Sequence, residues 1–412
     1  MHLNAARFSR IDSFAGNSSS QVLTAYRPCP ICGKLISDNV ISFDDFQFFS
    51  DSAEVPKRAQ VRVVQCRNCQ ALYLNPCYTP AGFGYLFEEA GQSYGSTAQR
   101  QTEQVEWITD RGLLDGCNVF LDVGCYDGTF LSHLPDNVRR IGVDIDESAI
   151  TLGKSRHGAD GIEFMYGAFE SFQCPEKPDV ISMFHVLEHL SNPFEALNNL
   201  RAISHRDTRL LVEVPVIEHG KTNDINGFLS VHHMTHFSLK SLSELMARTG
   251  WEIIERAQME EYNGHRILAK PCDASSEVSG DVHDRIHLYE YLEHWYRSLA
   301  EISVKIEALA SVPHMVIWGG GNHTEFLYQK SSLFFQNPLR EYLIVDSDPL
   351  KQGKSWRGIP VDSPDCLPNV DWSETTLLIS SYGGQESIAE SAIGMGIPTE
   401  SVFKIYGEIM VH

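Results

Sequence analysis

The chain has few basic residues and no long apolar run. Its 33 Lys and Arg against 54 Asp and Glu give a net charge of −21. This charge argues against a nucleic-acid partner or an anionic membrane surface, because phosphate binding needs a basic face. A locally basic pocket for a small phosphorylated ligand stays compatible with it. Without a run of about 18 apolar residues, no membrane-spanning helix is expected.

The first residues also lack the continuous apolar segment of a secretory signal. Polar residues dominate positions 1–22, and we expect a flexible tail there and a cytoplasmic location for the protein. Two arginines, several serines and a single Asp12 leave a transit peptide as the less favoured interpretation.

Length and composition predict a multidomain globular protein. A chain of 412 residues is long enough for two or three domains. Hydrophobic residues make up 42% of it and charged residues 21%, which is typical of soluble globular proteins. Ten cysteines are too few for a disulfide scaffold, and four of them form two Cys-x-x-Cys pairs, which favours metal binding in a reducing compartment.

These pairs predict a zinc-binding module over residues 23–84. RPCPICGK supplies Cys29 and Cys32, and QCRNCQAL supplies Cys66 and Cys69. Each two-residue gap aims both thiolates at one point, and the segment between the pairs can form a hairpin. Four thiolates close a tetrahedral shell, so this Zn²⁺ is expected to be structural. A redox dithiol or unrelated core cysteines are the alternatives.

A strand, a glycine turn and a helix follow at VFLDVGCYDG, residues 119–128, with the helix beginning near Thr129. The next strand, RRIGVDID, ends on Asp144, where an acid can accept both hydroxyls of a ribose. This pattern fits NAD or S-adenosylmethionine. Asp122 opens the turn, where it would repel a pyrophosphate but suit a cationic sulfonium ligand. A turn without a ligand is the alternative.

LDVGCYDGTFL, GVDID and HVLEHLSNP resemble successive motifs of class I S-adenosylmethionine-dependent methyltransferases, and we assign that domain to residues 85–270. The resemblance implies that Asp122 and Gly124 hold the methionine part of the cofactor, that Asp144 holds its ribose and that Ala168 and Phe169 flank its adenine. The full predicted cofactor set is Asp122, Gly124, Tyr126, Gly128, Asp144, Ile145, Ala168, Phe169, Phe184 and His185.

A third domain is predicted over residues 311–412, after a polar linker and a helix in 271–310. The helix is expected from about Ile286 to Ala310, with Leu288, Tyr291, Leu292, Trp295, Leu299 and Ile302 buried. HMVIWGGGNHTEFLYQ repeats the strand, glycine turn and helix pattern. Its glycines can cradle a phosphate, although a tight turn without a ligand is the alternative. The predicted substrate set is Gly319, Gly320, Gly321, Asn322, His323 and Asp346.

The three predicted domains together are similar to those of the C-methyltransferases that act on nucleotide-linked keto-deoxysugars in natural-product and polysaccharide biosynthesis. That similarity implies a substrate between the two large domains, with its nucleotide in the C-terminal one. It also implies removal of a proton beside a keto group and methylation of the resulting enolate.

SVHHMTHFS, residues 230–238, carries three histidines between the strand LLVEVPV and a helix that Ser238 can cap. They precede the helix, so they do not form a helical metal pair. By resemblance, His233 is the catalytic base, and His189 or Tyr94 polarises the acceptor. His232, where the family has a glutamate, completes the predicted catalytic set. A solvated or structurally bonded imidazole is the alternative at each position.

The sequence thus predicts an α/β protein with an N-terminal four-cysteine zinc-binding module, a class I Rossmann-like methyltransferase domain and a small C-terminal Rossmann-like domain. It is expected to use S-adenosylmethionine and structural Zn²⁺ and to methylate a small metabolite, most simply a carbon of a nucleotide-linked sugar. An O- or N-methyltransferase and a non-catalytic cofactor-binding scaffold remain as alternatives. No nucleic acid or membrane partner is expected, and the chain is a monomer or a homodimer.

Overall fold

The computed structural model describes residues 8–11, 23–48, 57–87, 98–167, 172–220, 222–257, 264–275 and 283–409. Within them the larger sheets have four, seven and six strands, and a two-stranded ribbon accompanies the first. The two larger sheets are mainly parallel and carry helices, which confirms the predicted α/β fold. None of the helices in these ranges is long and apolar enough to cross a membrane.

The N-terminal region is an antiparallel sheet. Its elements are β1 Thr24–Ala25, β2 Ser37–Phe48, β3 Lys57–Cys66, β4 Leu72–Leu74, β5 Cys77–Tyr78 and α1 Pro80–Phe87. One cysteine pair lies in the loop before β2 and the other at the turn between β3 and β4. Helix α2, Ala98–Asp110, follows and packs on the central sheet through Ile108. β2 and β3 pair antiparallel, as predicted for the segment between the cysteine pairs. β4 then pairs with β11, Thr235–His236, so the histidine segment supplies the edge strand of this sheet.

The central sheet has the order β12-β13-β10-β9-β6-β7-β8. Its strands are β6 Val119–Val123, β7 Arg139–Asp144, β8 Glu163–Tyr166, β9 Val180–Phe184, β10 Arg209–Pro215, β12 Trp251–Arg256 and β13 Gly264–Pro271. Its helices are α3 Thr129–Ser132, α4 Glu147–His157, α5 Pro193–Ile203 and α6 Leu239–Arg248. Helices cover both faces, so strands such as the fully buried β6 are almost wholly apolar.

The strand order reverses at the centre of this sheet. β6 is flanked by β7 and β9, so the chain runs outward from β6 in both directions. In open α/β sheets such a switch point opens a crevice at the carboxyl ends of the strands, where ligands bind. The turn after β6, the end of β7 and the end of β9 therefore meet at one place, and all three carry predicted cofactor residues.

The C-terminal sheet has the order β16-β17-β15-β14-β18-β19. Its strands are β14 His314–Trp318, β15 Glu341–Val345, β16 Ser355–Trp356, β17 Ile359–Asp362, β18 Thr375–Ile379 and β19 Val402–Lys404. The helices are α7 His283–Glu307, α8 Asn322–Lys330 and α9 Gln385–Gly394. Helix α7 begins and ends about three residues earlier than predicted. Of its expected apolar stripe, Leu292 is half-buried and the other five residues are buried.

The N-terminal and C-terminal sheets share one apolar core. The rings of Phe43 and Phe326 lie 5.0 Å apart, edge to face. The guanidinium of Arg357 pairs with the buried Glu325 at 2.6 Å and donates to the carbonyl of Asp45 in β2. Burying one charge without the other is costly, so this pair fixes how β2 packs on α8.

Part of the predicted N-terminal tail also lies on the C-terminal sheet. The amide of Ser9 donates to the carbonyl of Tyr342 at 2.8 Å, and the amide of Tyr342 donates back at 2.7 Å. Residues 1–7 and 12–22 of that predicted tail lie outside the described residues.

Candidate active site and metal centre

The turn between β6 and α3 brings main chain close to the crevice. Gly124 has a φ of +78°, and a Cβ there would lie 2.2 Å from Cγ2 of Val186. A side chain at this position is thus excluded both by the left-handed backbone and by the neighbouring loop. Gly128, also in the predicted cofactor set, closes the turn one residue before helix α3, which begins at Thr129 as predicted.

Asp122 is buried one residue before the end of β6. Its carboxylate accepts a 2.6 Å hydrogen bond from the hydroxyl of Ser182 in β9. Burial raises the pKa of Asp122 to about 7, against the lowering effect of the Ser182 hydroxyl. Asp122 therefore braces two strands beneath the turn, and its contact with the cofactor stays a prediction.

Asp144 lies at the end of β7, as predicted, and faces the turn. Its Oδ2 accepts a hydrogen bond from the amide of Tyr126 at 2.9 Å, and its Oδ1 accepts one from the amide of Asp146 at 2.9 Å. Each carboxylate oxygen has a second lone pair that remains suited to a ribose hydroxyl. Ile145 is 41% exposed and presents an apolar side chain beside it. Ala168 and Phe169 lie outside the described residues.

A buried charge network lies at the ends of β9 and β10. His185 has a φ of +56°, and its two ring nitrogens lie 3.2 Å from carboxylate oxygens of Glu188 and Glu213. Arg266 in β13 donates to Glu213 at 2.6 Å. Burial lowers the pKa of His185, but the two carboxylates outweigh it and raise this pKa to about 9. Burial raises the pKa of Glu213, but His185 and Arg266 outweigh it and bring this pKa to about 2.

His185 is thus held as a cation inside a network of fixed geometry. Phe184, the preceding residue, packs its ring edge to face on Phe130 at 5.2 Å, which makes it part of the apolar wall below the crevice. Glu188, Glu213 and Arg266 were missed from the sequence. Glu188 is three residues from His185, and Glu213 is the one acidic residue within the apolar strand β10, so a signal for both was present in the sequence.

His189 and His233 form the centre of the predicted catalytic set. Their ring centroids are 5.0 Å apart in an edge-to-face arrangement. Nδ1 of His189 lies 3.1 Å from the carbonyl oxygen of His232, so Nδ1 carries a proton and donates. Nε2 of His189 therefore faces away from that carbonyl and lies 3.9 Å from Glu188 Oε1. Tyr94 lies outside the described residues.

The other histidines of the segment differ from one another in environment. Burial, and then the neighbouring His189, lowers the pKa of His233 well below its usual range. Burial lowers the pKa of both His232 and His236 to about 3. His236 lies in β11 and is 2% exposed, so it is a structural residue. Helix α6 follows, and Ser238 caps it as predicted by accepting from the amide of Ser241.

The C-terminal glycine turn reaches the histidine segment. Nδ2 of Asn322 lies 3.4 Å from Nε2 of His232 and donates to it, which joins the start of α8 to the histidine segment. His323 is buried, and its ring nitrogens bond to Ser380 at 2.9 Å and Tyr406 at 2.6 Å. His323 is thus engaged within the domain, whereas Asn322, from the same predicted substrate set, reaches the histidine segment.

The glycine amides of this turn are also engaged. Gly319 donates to the carbonyl of Val345 at 2.8 Å, and Gly320 donates to Asp346 Oδ2 at 2.7 Å. Lys351 lies 3.5 Å from the same carboxylate oxygen. A phosphate cradle built from successive glycine amides needs those amides free. Of the three glycines, Gly321 at the N-cap of α8 remains nearest to that role.

The four cysteines of the N-terminal sheet converge as predicted. Sγ of Cys29 lies 3.5 Å from that of Cys69, and Sγ of Cys32 lies 3.5 Å from that of Cys66. All four sulfurs lie within 4.8 Å of one another. A zinc tetrahedron with bonds of about 2.3 Å has sulfur–sulfur edges of about 3.8 Å, so this cluster fits that ion.

Glu188, His189 and His233 form a second group whose ligand atoms lie within 4.8 Å of one another. Two imidazoles and a carboxylate can hold a metal ion. Here the imidazole of His185, whose pKa is raised, already lies against the same carboxylate, and a neighbouring positive charge disfavours another cation. This environment favours proton transfer over metal binding as the role of the three side chains.

Comparison with known proteins agrees with the predicted central domain. Residues 97–256 match the family model described as a methyltransferase domain. The C-methyltransferase NovU of Streptomyces niveus is 24% identical over 270 residues, which are 62% of this chain. The matched part spans 59% of the length of that relative.

Two solved structures each resemble about half of this chain. A S-adenosylmethionine-dependent methyltransferase from Clostridium acetobutylicum superposes with a TM-score of 0.37 at 8% identity, over 47% of this chain and 99% of that one. Magnesium protoporphyrin IX methyltransferase from Synechocystis, with bound S-adenosylmethionine, gives a TM-score of 0.37 at 17% identity, over 48% of this chain and 99% of that one. Residues 97–256 of this chain are a methyltransferase domain.

Proposed function

From this domain and its crevice, we propose that the protein is a S-adenosylmethionine-dependent methyltransferase that methylates a carbon beside a keto group in a nucleotide-linked sugar. The observation that carries this proposal is the pairing of a braced cofactor turn at Asp144 with the two imidazoles of His189 and His233. The turn is suited to bind a nucleoside through the hydroxyls of its ribose. The imidazoles suit proton transfer at neutral pH.

The cofactor assignment is supported by the residues at the carboxyl ends of β6 and β7. Gly124 leaves room for a ligand against main chain, Asp144 offers lone pairs to ribose hydroxyls, and Ile145 offers an apolar surface for a base. When bound there, S-adenosylmethionine supplies an electrophilic methyl group. The remaining chemistry belongs to side chains of this chain.

The two histidines have environments that suit opposite roles. Burial keeps His233 neutral, so its ring has a lone pair that can accept a proton from the carbon next to the keto group. His189 donates its Nδ1 proton to the carbonyl of His232, and its Nε2 lies 3.9 Å from Oε1 of Glu188. When Nε2 also carries a proton, it can donate a hydrogen bond to the keto oxygen as the enolate forms. His233 then acts as the base, and His189 stabilises the negative charge that develops on the oxygen.

The methyl transfer balances in atoms and protons. His233 takes the proton from the carbon, the carbon then bonds to the methyl group, and the bond from that methyl group to sulfur breaks. The proton on His233 is later released to solvent. The name of the relative NovU, a C-methyltransferase, supports transfer to carbon.

The nucleotide part of the substrate is assigned to the C-terminal sheet. Asn322 begins helix α8 and reaches His232, so a molecule held at that turn extends toward the histidine pair. Asp346 directly follows β15, close to the position that Asp144 has at the end of β7, and its carboxylate can accept a ribose hydroxyl. The four-cysteine cluster is assigned a structural Zn²⁺, because a shell of four thiolates leaves no position for a reacting water.

A two-step experiment tests this function. Calorimetric titration with S-adenosylmethionine should show one site per chain. A panel of nucleotide-linked keto sugars with methyl-labelled donor should then give a product labelled on carbon. Label on oxygen or nitrogen would assign the O- or N-methyltransferase alternative. Cofactor binding without label transfer, across nucleotide sugars and other small metabolites, would indicate a scaffold protein.

A further inference from the structure

Arg27 connects the four-cysteine module to both histidine-bearing loops. It lies two residues before Cys29, at the start of the first cysteine pair. Its Nη1 donates to the carbonyl of Ser191, and its Nη2 donates to the carbonyl of Met234. Ser191 comes two residues after His189, and Met234 comes directly after His233. One guanidinium thus spans the two loops that carry the proposed acid and base.

The same module holds the His233 loop at further points. The amide of Leu74 in β4 donates to the carbonyl of Met234 at 2.9 Å. The hydroxyl of Tyr78 donates to the carbonyl of Val231 at 2.8 Å. The ladder between β4 and β11 then continues to His236. By contrast, the hydrogen bond from Arg27 to Ser191 reaches the loop after His189, which lies outside this ladder.

The surroundings of Arg27 favour a positional task for it. Its acceptors are two neutral carbonyls, and its electrostatic neighbours are Cys77, Cys29 and Tyr73. Arg27 is half-buried, and no carboxylate pairs with it among the described residues, so the cost of removing its charge from water is only partly offset. A planar guanidinium, however, presents several donors in a fixed fork, which can hold two acceptors at a defined separation.

We propose that Arg27 is a positioning residue that sets the separation of His189 and His233, and that metal binding by the four cysteines fixes Arg27 in place. This inference rests on the proposed function, because it gives that histidine pair its geometry. Cys29 follows Arg27 by two residues, so the metal-bound turn anchors the main chain from which the guanidinium reaches. Through Arg27 the four-cysteine module affects the reaction, although Arg27 itself does not contact the substrate.

The test compares Arg27→Met with Arg67→Met in the full chain. Arg67 lies in the same module, but its side chain is exposed and pairs with the exposed Asp38. Long-range proton–nitrogen correlation spectra of the histidine rings report the protonated Nδ1 of His189 and the pH titration of both rings. We expect Arg27→Met to shift the His189 and His233 signals, and Arg67→Met to leave them unchanged.

Two functional readouts accompany the spectra. Arg27→Met should lower kcat about 100-fold, the loss expected for a displacement of roughly 1 Å between reacting groups, with the dissociation constant of S-adenosylmethionine unchanged. Arg27→Lys should recover part of the rate, since one of the two carbonyls can still be held. If Arg27→Met has the same ring signals and the same kcat as Arg67→Met, the proposal is overturned, whatever the change in thermal stability.

A second variant covers the case in which Arg27→Met does not fold. Tyr78→Phe removes only the hydroxyl that holds Val231 and should shift the His233 signals in the same direction by a smaller amount. Unchanged signals would count against the module as a positioning element.

Removal of metal from the wild-type protein by a chelator should reproduce the His189 shift. Loss of the metal with unchanged ring signals would overturn the coupling. These spectra need no cofactor, so a failure of S-adenosylmethionine to bind would contradict the proposed function alone.

Discussion

The amide of Tyr126 donates a 2.9 Å hydrogen bond to the carboxylate of Asp144, and the C-terminal sheet repeats this contact between Gly320 and Asp346 at 2.7 Å. Asp144 ends β7 and Asp346 directly follows β15, and each acid accepts a hydrogen bond from the turn after the first strand of its sheet. Each acid also accepts from the amide two residues further on, at 2.9 Å. The two Rossmann-like units are therefore braced in the same way, and each leaves a carboxylate facing a crevice.

The first prediction concerns this carboxylate. Asp144→Asn removes the charge and one acceptor, and hydrogen bonds to charged groups contribute about 1.5–3 kcal/mol. The affinity for S-adenosylmethionine should therefore fall by about 10- to 100-fold in calorimetry. Asp346→Asn changes the matching residue of the other sheet and should leave that affinity unaltered. Equal losses in the two variants would contradict the assignment of the cofactor to the central sheet.

The second prediction separates steric overlap from backbone strain at Gly124. Gly124→Ala places a methyl group 2.2 Å from Val186, whereas Gly161, with a similar φ of +77°, has no atom within 4 Å of an added Cβ. Gly161→Ala should lower the free energy of unfolding by about 1 kcal/mol, the cost of the left-handed conformation. Gly124→Ala should cost about 1–3 kcal/mol more. Urea unfolding measures both, and a similar cost for the two would show that the loop of Val186 moves away freely.

The third prediction concerns the four cysteines. The purified protein should contain about one zinc per chain, and Cys29→Ser should lose the metal and much of the thermal stability, because metal binding is coupled to folding. Cys272→Ser, outside the cluster, should keep both. Metal analysis by mass spectrometry decides the stoichiometry. About two ions per chain would place a metal at Glu188, His189 and His233 as well.

The fourth prediction is a loss of stability in mild acid. Burial lowers the pKa of His236 and of His323 to about 3, while an unfolded histidine titrates near 6.5. Below about pH 6.5 these histidines are therefore protonated in the unfolded chain but not in the native chain, so the free energy of unfolding falls as the pH drops. At pH 5 each of these histidines costs about 2 kcal/mol. Replacing His236 by Asn should flatten the acid side of the stability profile.

The titration of His185 has the opposite effect on the free energy of unfolding. Its pKa in the folded protein is raised to about 9, so its contribution to stability is complete below about 6.5 and is lost as the pH rises through 9. Stability should thus be greatest near neutral pH. A profile that stays flat from pH 5 to pH 7 would contradict the burial of these imidazoles as neutral groups.

The fifth prediction concerns the catalytic base. His233→Ala should reduce kcat by about 10²- to 10⁴-fold, the usual contribution of general base catalysis, and leave the affinity for S-adenosylmethionine unaltered. His287, half-exposed on α7, serves as a control, and His287→Ala should keep full turnover. Full turnover of His233→Ala on the methyl acceptor would remove His233 as the base and direct attention to His189.

Local patterns in the sequence predicted the features that depend on near neighbours. The two Cys-x-x-Cys turns, the glycine turn before Thr129 and the helix capped by Ser238 all arise within a few residues, and the structure has each of them. The apolar stripe of α7 was readable for the same reason. The α/β class followed from these repeated strand, turn and helix patterns.

Contacts between distant segments were not predictable in this way. Arg27 meets Met234 across 207 positions, and Arg266 meets Glu213 across 53. Nothing near either arginine in the sequence indicates its partner. His323 also shows this limit, because its place after a glycine turn suggested a ligand, whereas Tyr406 and Ser380 satisfy both ring nitrogens.

The central claim is that the crevice at the carboxyl ends of β6 and β7 binds S-adenosylmethionine for methyl transfer near His233. Calorimetric titration of the purified full chain with S-adenosylmethionine tests it most directly, with Asp144→Asn measured in parallel. The account predicts one site per wild-type chain and a clear loss of affinity in the variant. The absence of binding by a folded, metal-containing wild-type protein would contradict it.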